Sequence, residues 1–161
     1  MPTPEGVPTL DDTIARVTEL HDGQVDKAGA PYVGHVMRVL RRVREVFPEA
    51  PEEVLHAALL HDVIEDCDVT AADLRAAGYP ANTIAIVEAV TKNPDDGLTY
   101  AERIERLAET GPRGAVQVKI CDLMDNSDPD RLSALPPEKA ASLSKRYRRA
   151  LARLTESLEH T

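Results

Sequence analysis

Apolar residues recur along this chain at intervals of three and four, the spacing of a helix with one buried face, and no run of β-branched residues has the length of a strand. Leu10, Ile14, Val17 and His21, with Leu20 beside them, form the first stripe. Thr9 stands where a helix cap belongs, with Asp11 and Asp12 in the following turn. Gly23 and the stretch Asp26 to Pro31 break this helix. A second helix is predicted from about Val33 to Phe47, with Val36, Val39, Leu40, Val43 and Val46 inward. Its opposite face, Arg38, Arg41, Arg42 and Arg44, reads as a solvated basic run, with Arg38 alone a candidate for phosphate. After Pro48 and Pro51, residues 52–66 contain no Gly or Pro and are predicted to form one helix.

Thr70 caps a short helix ending near Gly78, and Pro80 starts another that reaches about Val90. Thr91 to Gly97 carries the residues of a loop. Thr99 caps a helix with Ile104 and Leu107 inward, closed by Gly111-Pro112. Residues 113–127 are apolar nearly all round, the mark of a core helix, so Lys119, Asp122 and Asn126 within it need a reason to be there. A proline-rich turn leads to a final helix from Pro136-Pro137, with Leu143, Tyr147, Leu151, Leu154 and Leu158 on one side. The pattern predicts an all-α fold, a single compact helical bundle over 9–161 preceded by a loosely held arm, 1–8, with three prolines and a glycine.

Composition narrows what such a bundle does. The chain has 161 residues, enough for a sizeable core, and one Phe with no Trp makes that core aliphatic. A net charge of −9 excludes nonspecific binding to nucleic acid or anionic membranes. Cys67 and Cys121 are isolated thiols without metal-ribbon spacing, expected to be small buried residues in a reducing compartment. No segment is long and apolar enough to span a membrane, and no basic leader precedes an apolar run. The expectation is a cytoplasmic protein.

The chemistry concentrates in His61-Asp62-Val63-Ile64-Glu65-Asp66. On a continuous helix Glu65 stands one turn above His61, and Asp66 one turn above Asp62. Four ionisable groups on one face of an apolar helix are costly unless paired, and a divalent ion is an economical partner. A lone His-Asp pair is more often a packed histidine beside an exposed acid; the Glu65-Asp66 pair one turn on favours a site. His35 and Asp122 add two further donors from other helices. Two imidazoles and two carboxylates suit a borderline divalent ion such as manganese, iron or zinc, with nickel or cobalt also compatible. Such an ion acidifies water and offsets charge on a phosphoryl oxygen, while Glu65 and Asp66 are placed to move protons.

The order His35, His61-Asp62, Asp122 resembles the HD superfamily of metal-dependent phosphohydrolases, and more closely the hydrolase domain of the RelA/SpoT alarmone enzymes. His21-Asp22-Gly23-Gln24 is similar to their His-x-Gly-Gln, and Gly29 to His35 to their Gly-Glu-Pro-Tyr-Ile-x-His. His61 to Asp66 matches His-Asp-x-x-Glu-Asp in full, and Val118 to Asn126 is similar to Val-Lys-Leu-Ala-Asp-Arg-x-x-Asn. The resemblance implies manganese on His35, His61, Asp62 and Asp122, proton transfer by Glu65 and Asp66, and hydrolysis of a guanosine polyphosphate at its 3′-diphosphate. It also implies that Lys27, Lys92, Lys119 and Asn126 meet the substrate. The alternatives are a phosphatase for another nucleotide, such as a deoxynucleoside monophosphate or NADPH, and a metal-clamped regulatory module that binds a nucleotide without catalysis. The oligomeric state is not fixed by these residues.

Four positions depart from that pattern, among them Pro129, where the family has a threonine of the nucleotide site. Asp26 stands where the family has an arginine that packs on the base, Asp128 where it has another arginine, and Val36 where a proline follows the first ligand. Tyr32 and Tyr147 read as packing residues, and His56 has no counterpart. The resemblance therefore implies that arginine at 26 and 128 would strengthen binding of guanosine tetraphosphate.

Overall fold

The computed structural model describes residues 6–159. It is all-α, and no strand forms among the described residues. In chain order the helices are α1 (Leu10–Leu20), α2 (Tyr32–Val46), α3 (Glu52–Leu60), α4 (Val63–Asp66), α5 (Ala71–Ala76), α6 (Ala81–Val90), α7 (Tyr100–Thr110), α8 (Arg113–Asn126), α9 (Pro129–Leu132) and α10 (Pro137–Glu159). None is long and apolar enough to cross a membrane.

The caps are those the threonines announce. Thr9, Thr70 and Thr99 each accept from the backbone N–H three residues on, and Asp12, Asp73 and Glu102 reach back to close a capping box. Helices α3 and α8 form the middle of the bundle: α3 packs on α1, α2, α6 and α8, while α8 also meets α2, α6, α7 and α10. Val36, Val39, Val43, Leu59, Leu60, Val87, Val118 and Leu123 are buried there, an aliphatic core as the composition requires. Gly114 lets α8 approach closely, since a Cβ would stand 2.7 Å from Ile86 Cδ1 and 2.8 Å from Val54 Cγ2.

The structure corrects four expectations, the last of them the burial of Cys67. The helix over 52–66 is broken: α3 ends at Leu60 and α4 begins at Val63, with Asp62 at φ −110°, ψ 0°. His61 Nδ1 lies 2.7 Å from the Ala58 carbonyl oxygen, the acceptor that the Asp62 N–H would use in a continuous helix. Val46, expected inward, is 42% exposed at the last position of α2. The basic run of α2 is divided: Arg41 stays in solvent, whereas Arg38 and Arg42 turn to a buried carboxylate on α8. Cys121 is buried and Cys67 only partly so.

Of the arm at 1–8, residues 1–5 lie outside the described residues. Pro8 is buried, and the Gly6 carbonyl rests on Gly78, where a Cβ would come within 1.6 Å of it at a φ of +99°.

Candidate functional site

The site forms where α2, α8 and the α3–α4 break meet. His35 lies in the first turns of α2, His61 and Asp62 at the break, and Asp122 near the end of α8. His35 Nε2 is 3.0 Å from Asp122 Oδ1 and 3.9 Å from Asp62 Oδ2. His61 Nε2 is 2.9 Å from Asp62 Oδ2 and 3.5 Å from Asp122 Oδ1. On an unbroken helix His61 and Asp62 would point about 100° apart. The break turns them to one point.

Each group is held from behind. His61 is fixed through the Ala58 carbonyl, and His35 Nδ1 is 2.7 Å from Asp125 Oδ2. The Tyr32 hydroxyl donates to Asp62, and its ring lies between those of His21 and His35. Asn126 Nδ2 donates to Asp122 Oδ1 at 3.1 Å, and Lys119 Nζ to Asp122 Oδ2 at 3.1 Å.

These residues fit a divalent ion. The donor atoms of His35, His61 and Asp62 lie within 4.8 Å of one another, and donors around one ion at roughly 2.1 Å stand about 3–4 Å apart. His61 Nε2 is buried and makes no hydrogen bond, although it faces two carboxylates. Burial opposes charge on both histidines, yet the carboxylates outweigh it, raising His35 and holding His61 well above the ordinary histidine value. Burial likewise opposes charge on Asp122, but Lys119 and the two imidazoles keep it well below the usual carboxylate range.

Glu65 and Asp66 flank the cluster. Burial pushes the Glu65 carboxyl up, against the pull of the Lys92 backbone N–H that donates to it. Burial and the charge of Asp62 push Asp66 up, and Gln24 Nε2 donates to it at 3.2 Å. Two cavities open beside the site. One, of about 220 Å³, has Lys27, Tyr32, Asn126, Arg131, Leu135 and Tyr147 in its wall. The other, of about 330 Å³, has Glu65, Lys92, Tyr100, Lys119 and Arg146.

Asp26 and Asp128 are not bare charges. Asp26 is buried, accepts from the N–H groups of Ala28 and Ala30, and lies 3.4 Å from Arg131 Nη2. Asp128 caps α9 and lies 3.6 Å from Arg42 Nη2. The sequence reading passed over Arg131, on a helix not expected, and Asp125. A carboxylate in an apolar helix needs a partner, and Asp125 is in that position as much as Asp122 three residues before it.

Residues 14–109, more than half of the chain, match the family model described as HD domain. The chain belongs to the HD-domain family. Asp122 lies outside the matched span, so the structure, not the model, brings α8 to the His61-Asp62 signature. This HD domain is 35% identical over 134 residues to the guanosine-3′,5′-bis(diphosphate) 3′-pyrophosphohydrolase of Vibrio cholerae, covering 79% of the chain and 18% of that protein. It is 34% identical over 116 residues to the enzyme of that activity called MESH1 in Danio rerio, covering 71% of the chain and 63% of that protein. The chain thus spans less than two thirds of either relative. A solved structure, reported as a metazoan ortholog of SpoT that hydrolyzes ppGpp and plays a role in starvation responses, superposes with a TM-score of 0.73 at 26% identity. The superposition covers 99% of this chain and 95% of that one.

Proposed function

We propose that this HD domain is a manganese-dependent phosphohydrolase that removes the 3′-diphosphate from guanosine-3′,5′-bis(diphosphate). The observation that carries the reading is the convergence of the buried Nε2 atoms of His61 and His35 on the carboxylates of Asp62 and Asp122. Those four residues would hold the ion. When bound, it supplies Lewis acidity toward water and toward the phosphoryl oxygen.

The protein's own groups do the rest. Glu65 and Asp66, with carboxyls raised above their ordinary values, exchange protons: one accepts from the attacking water, and a proton is returned to the departing 3′ oxygen. Water adds to the phosphorus bound to that oxygen, the P–O3′ bond breaks, and the products are the nucleoside 5′-diphosphate and free diphosphate. Lys92 and Lys119, in the cavity that Glu65 enters, offer charge to phosphate oxygens. The cavity of Tyr32, Leu135 and Tyr147 offers aromatic and aliphatic side chains to a base, with Lys27, Asn126 and Arg131 also in its wall. The relatives named for this activity support the substrate.

A hydrolysis screen with added manganese tests it, using guanosine tetraphosphate, deoxynucleoside monophosphates and NADPH. The expected result is diphosphate release from guanosine tetraphosphate, falling roughly 10²-fold or more in the Glu65→Gln/Asp66→Asn variant with metal content retained. Preference for another nucleotide replaces the substrate. Metal-loaded protein that turns over nothing replaces catalysis with a regulatory binding role.

A further inference from the structure

Asp125 is a buried carboxylate that the proposed chemistry does not use. It is 1% exposed, on the face of α8 turned to α2. Its Oδ2 lies 2.7 Å from His35 Nδ1 and 2.9 Å from Arg131 Nη1; its Oδ1 lies 2.8 Å from Arg38 Nε and 3.6 Å from Arg42 Nε. Burial alone would favour a neutral carboxyl, yet His35 and Arg38 hold it far below the usual range. A carboxylate kept ionised in the interior is a strong acceptor, and the ring N–H it faces belongs to a histidine whose other nitrogen points at Asp122.

We propose that Asp125 is a positioning residue for the metal site: it accepts the His35 Nδ1 proton and so commits Nε2, as a free lone pair, to the ion. The inference rests on the reading of His35 as a metal ligand. A neutral imidazole carries one N–H, and the nitrogen that donates cannot coordinate. With Nδ1–H held by Asp125, whose Oδ2 also accepts from Arg131 Nη1, Nε2 is the nitrogen left to coordinate, and the negative acceptor behind the ring makes it more electron-rich. Arg38 and Arg131 cancel the charge that would otherwise make a buried carboxylate costly at this place. Arg131 also donates to Asn126 Oδ1 at 2.8 Å and reaches Asp26, so the same contact ties the cavity wall to the back of the ligand.

Metal affinity of the full chain, by competition with a chelating dye, is the first readout. Asp125→Asn keeps an acceptor without charge, and Asp125→Ala removes it. The expected loss in manganese affinity is about 10-fold for the first and about 100-fold for the second, with circular dichroism unchanged. His35→Ala serves as the control. If it abolishes uptake while Asp125→Ala binds as tightly as the native chain, Asp125 is a structural ion pair and this inference falls alone. If His35→Ala also leaves uptake unchanged, the ligand reading falls first. A second readout needs no variant: nitrogen NMR of the zinc-loaded native protein should show His35 protonated at Nδ1 and coordinated through Nε2. Coordination through Nδ1 would overturn the proposal.

Discussion

Two buried histidine clusters lie in this bundle, and they are built in opposite ways. In one, Thr13 Oγ1 is 2.8 Å from His56 Nδ1 and 2.6 Å from Tyr79 Oη, and His56 Nε2 faces Glu52 on its own helix at 3.6 Å. Its polar atoms face one another, and burial lowers the His56 pKa. In the other, His35 and His61 are anchored through Nδ1 while both Nε2 atoms converge on carboxylates, and both pKa values are raised. Burial is the same. What separates a packing histidine from a candidate ligand is whether its second nitrogen faces one exposed carboxylate, as in His56, or a pair of largely buried ones.

The largest expected effect breaks the comparison at its strongest point. His61→Ala should abolish stoichiometric metal uptake and turnover, whereas His56→Ala should keep both and lower stability by roughly 1–3 kcal/mol through the partners it leaves unsatisfied. Elemental analysis with urea unfolding separates them. Metal-free His56→Ala protein that folds normally would give the closed cluster a role in the site.

Asp26 belongs with the closed kind. The family pattern suggests arginine there as a gain for the substrate. In the structure Asp26 holds the turn through Ala28 and Ala30 and pairs with Arg131. Asp26→Arg removes those bonds and sets two guanidiniums together, so the expected outcome is a loss of about 2 kcal/mol in unfolding free energy. A variant as stable as the native chain, with a lower KM, would return Asp26 to the pocket as a free charge.

The smallest effect is one of slope, seen in metal-free protein. His56 is lowered in the fold, so the unfolded chain takes its proton first, and stability falls as pH drops below about 6.5. His35 and His61 are raised, so their contribution is complete below about 6.5 and drains away as pH rises through their folded values. Urea midpoints measured between about pH 5 and about pH 8 should lose the acid-side fall in His56→Gln and the alkaline-side fall in His61→Gln. Identical slopes in all three proteins would mean that the two clusters do not differ electrostatically.

Much of this was legible in the residues. The capping threonines, the valine stripe of α2 and the apolar α8 are local features, written within a few neighbours, and they placed the helices. His35, His61, Asp62 and Asp122 stood out because polar groups interrupt apolar faces, and the structure brings all four together. The break at His61 was not legible, since it depends on a side chain taking a backbone acceptor where no Gly or Pro marks the spot. The partners of Asp26, Asp125 and Asp128 were not legible either. They come from segments far along the chain, and α9, which brings Arg131, is a single turn between prolines.

Gly114 carries a mechanical consequence. Helix α8 is a rigid bar that bears Lys119, Asp122, Asp125 and Asn126 at one end, and Gly114 is the fulcrum by which its other end rests on Val54 and Ile86. Asp122 lies eight residues, about 12 Å, beyond that fulcrum. A single methyl wedged there levers the far end, and a tilt of about 3° displaces the Asp122 carboxylate by about 0.6 Å, roughly the tolerance of a productive site. The alignment of the site is thus guarded by the smallest residue of the helix, about two turns from Asp122.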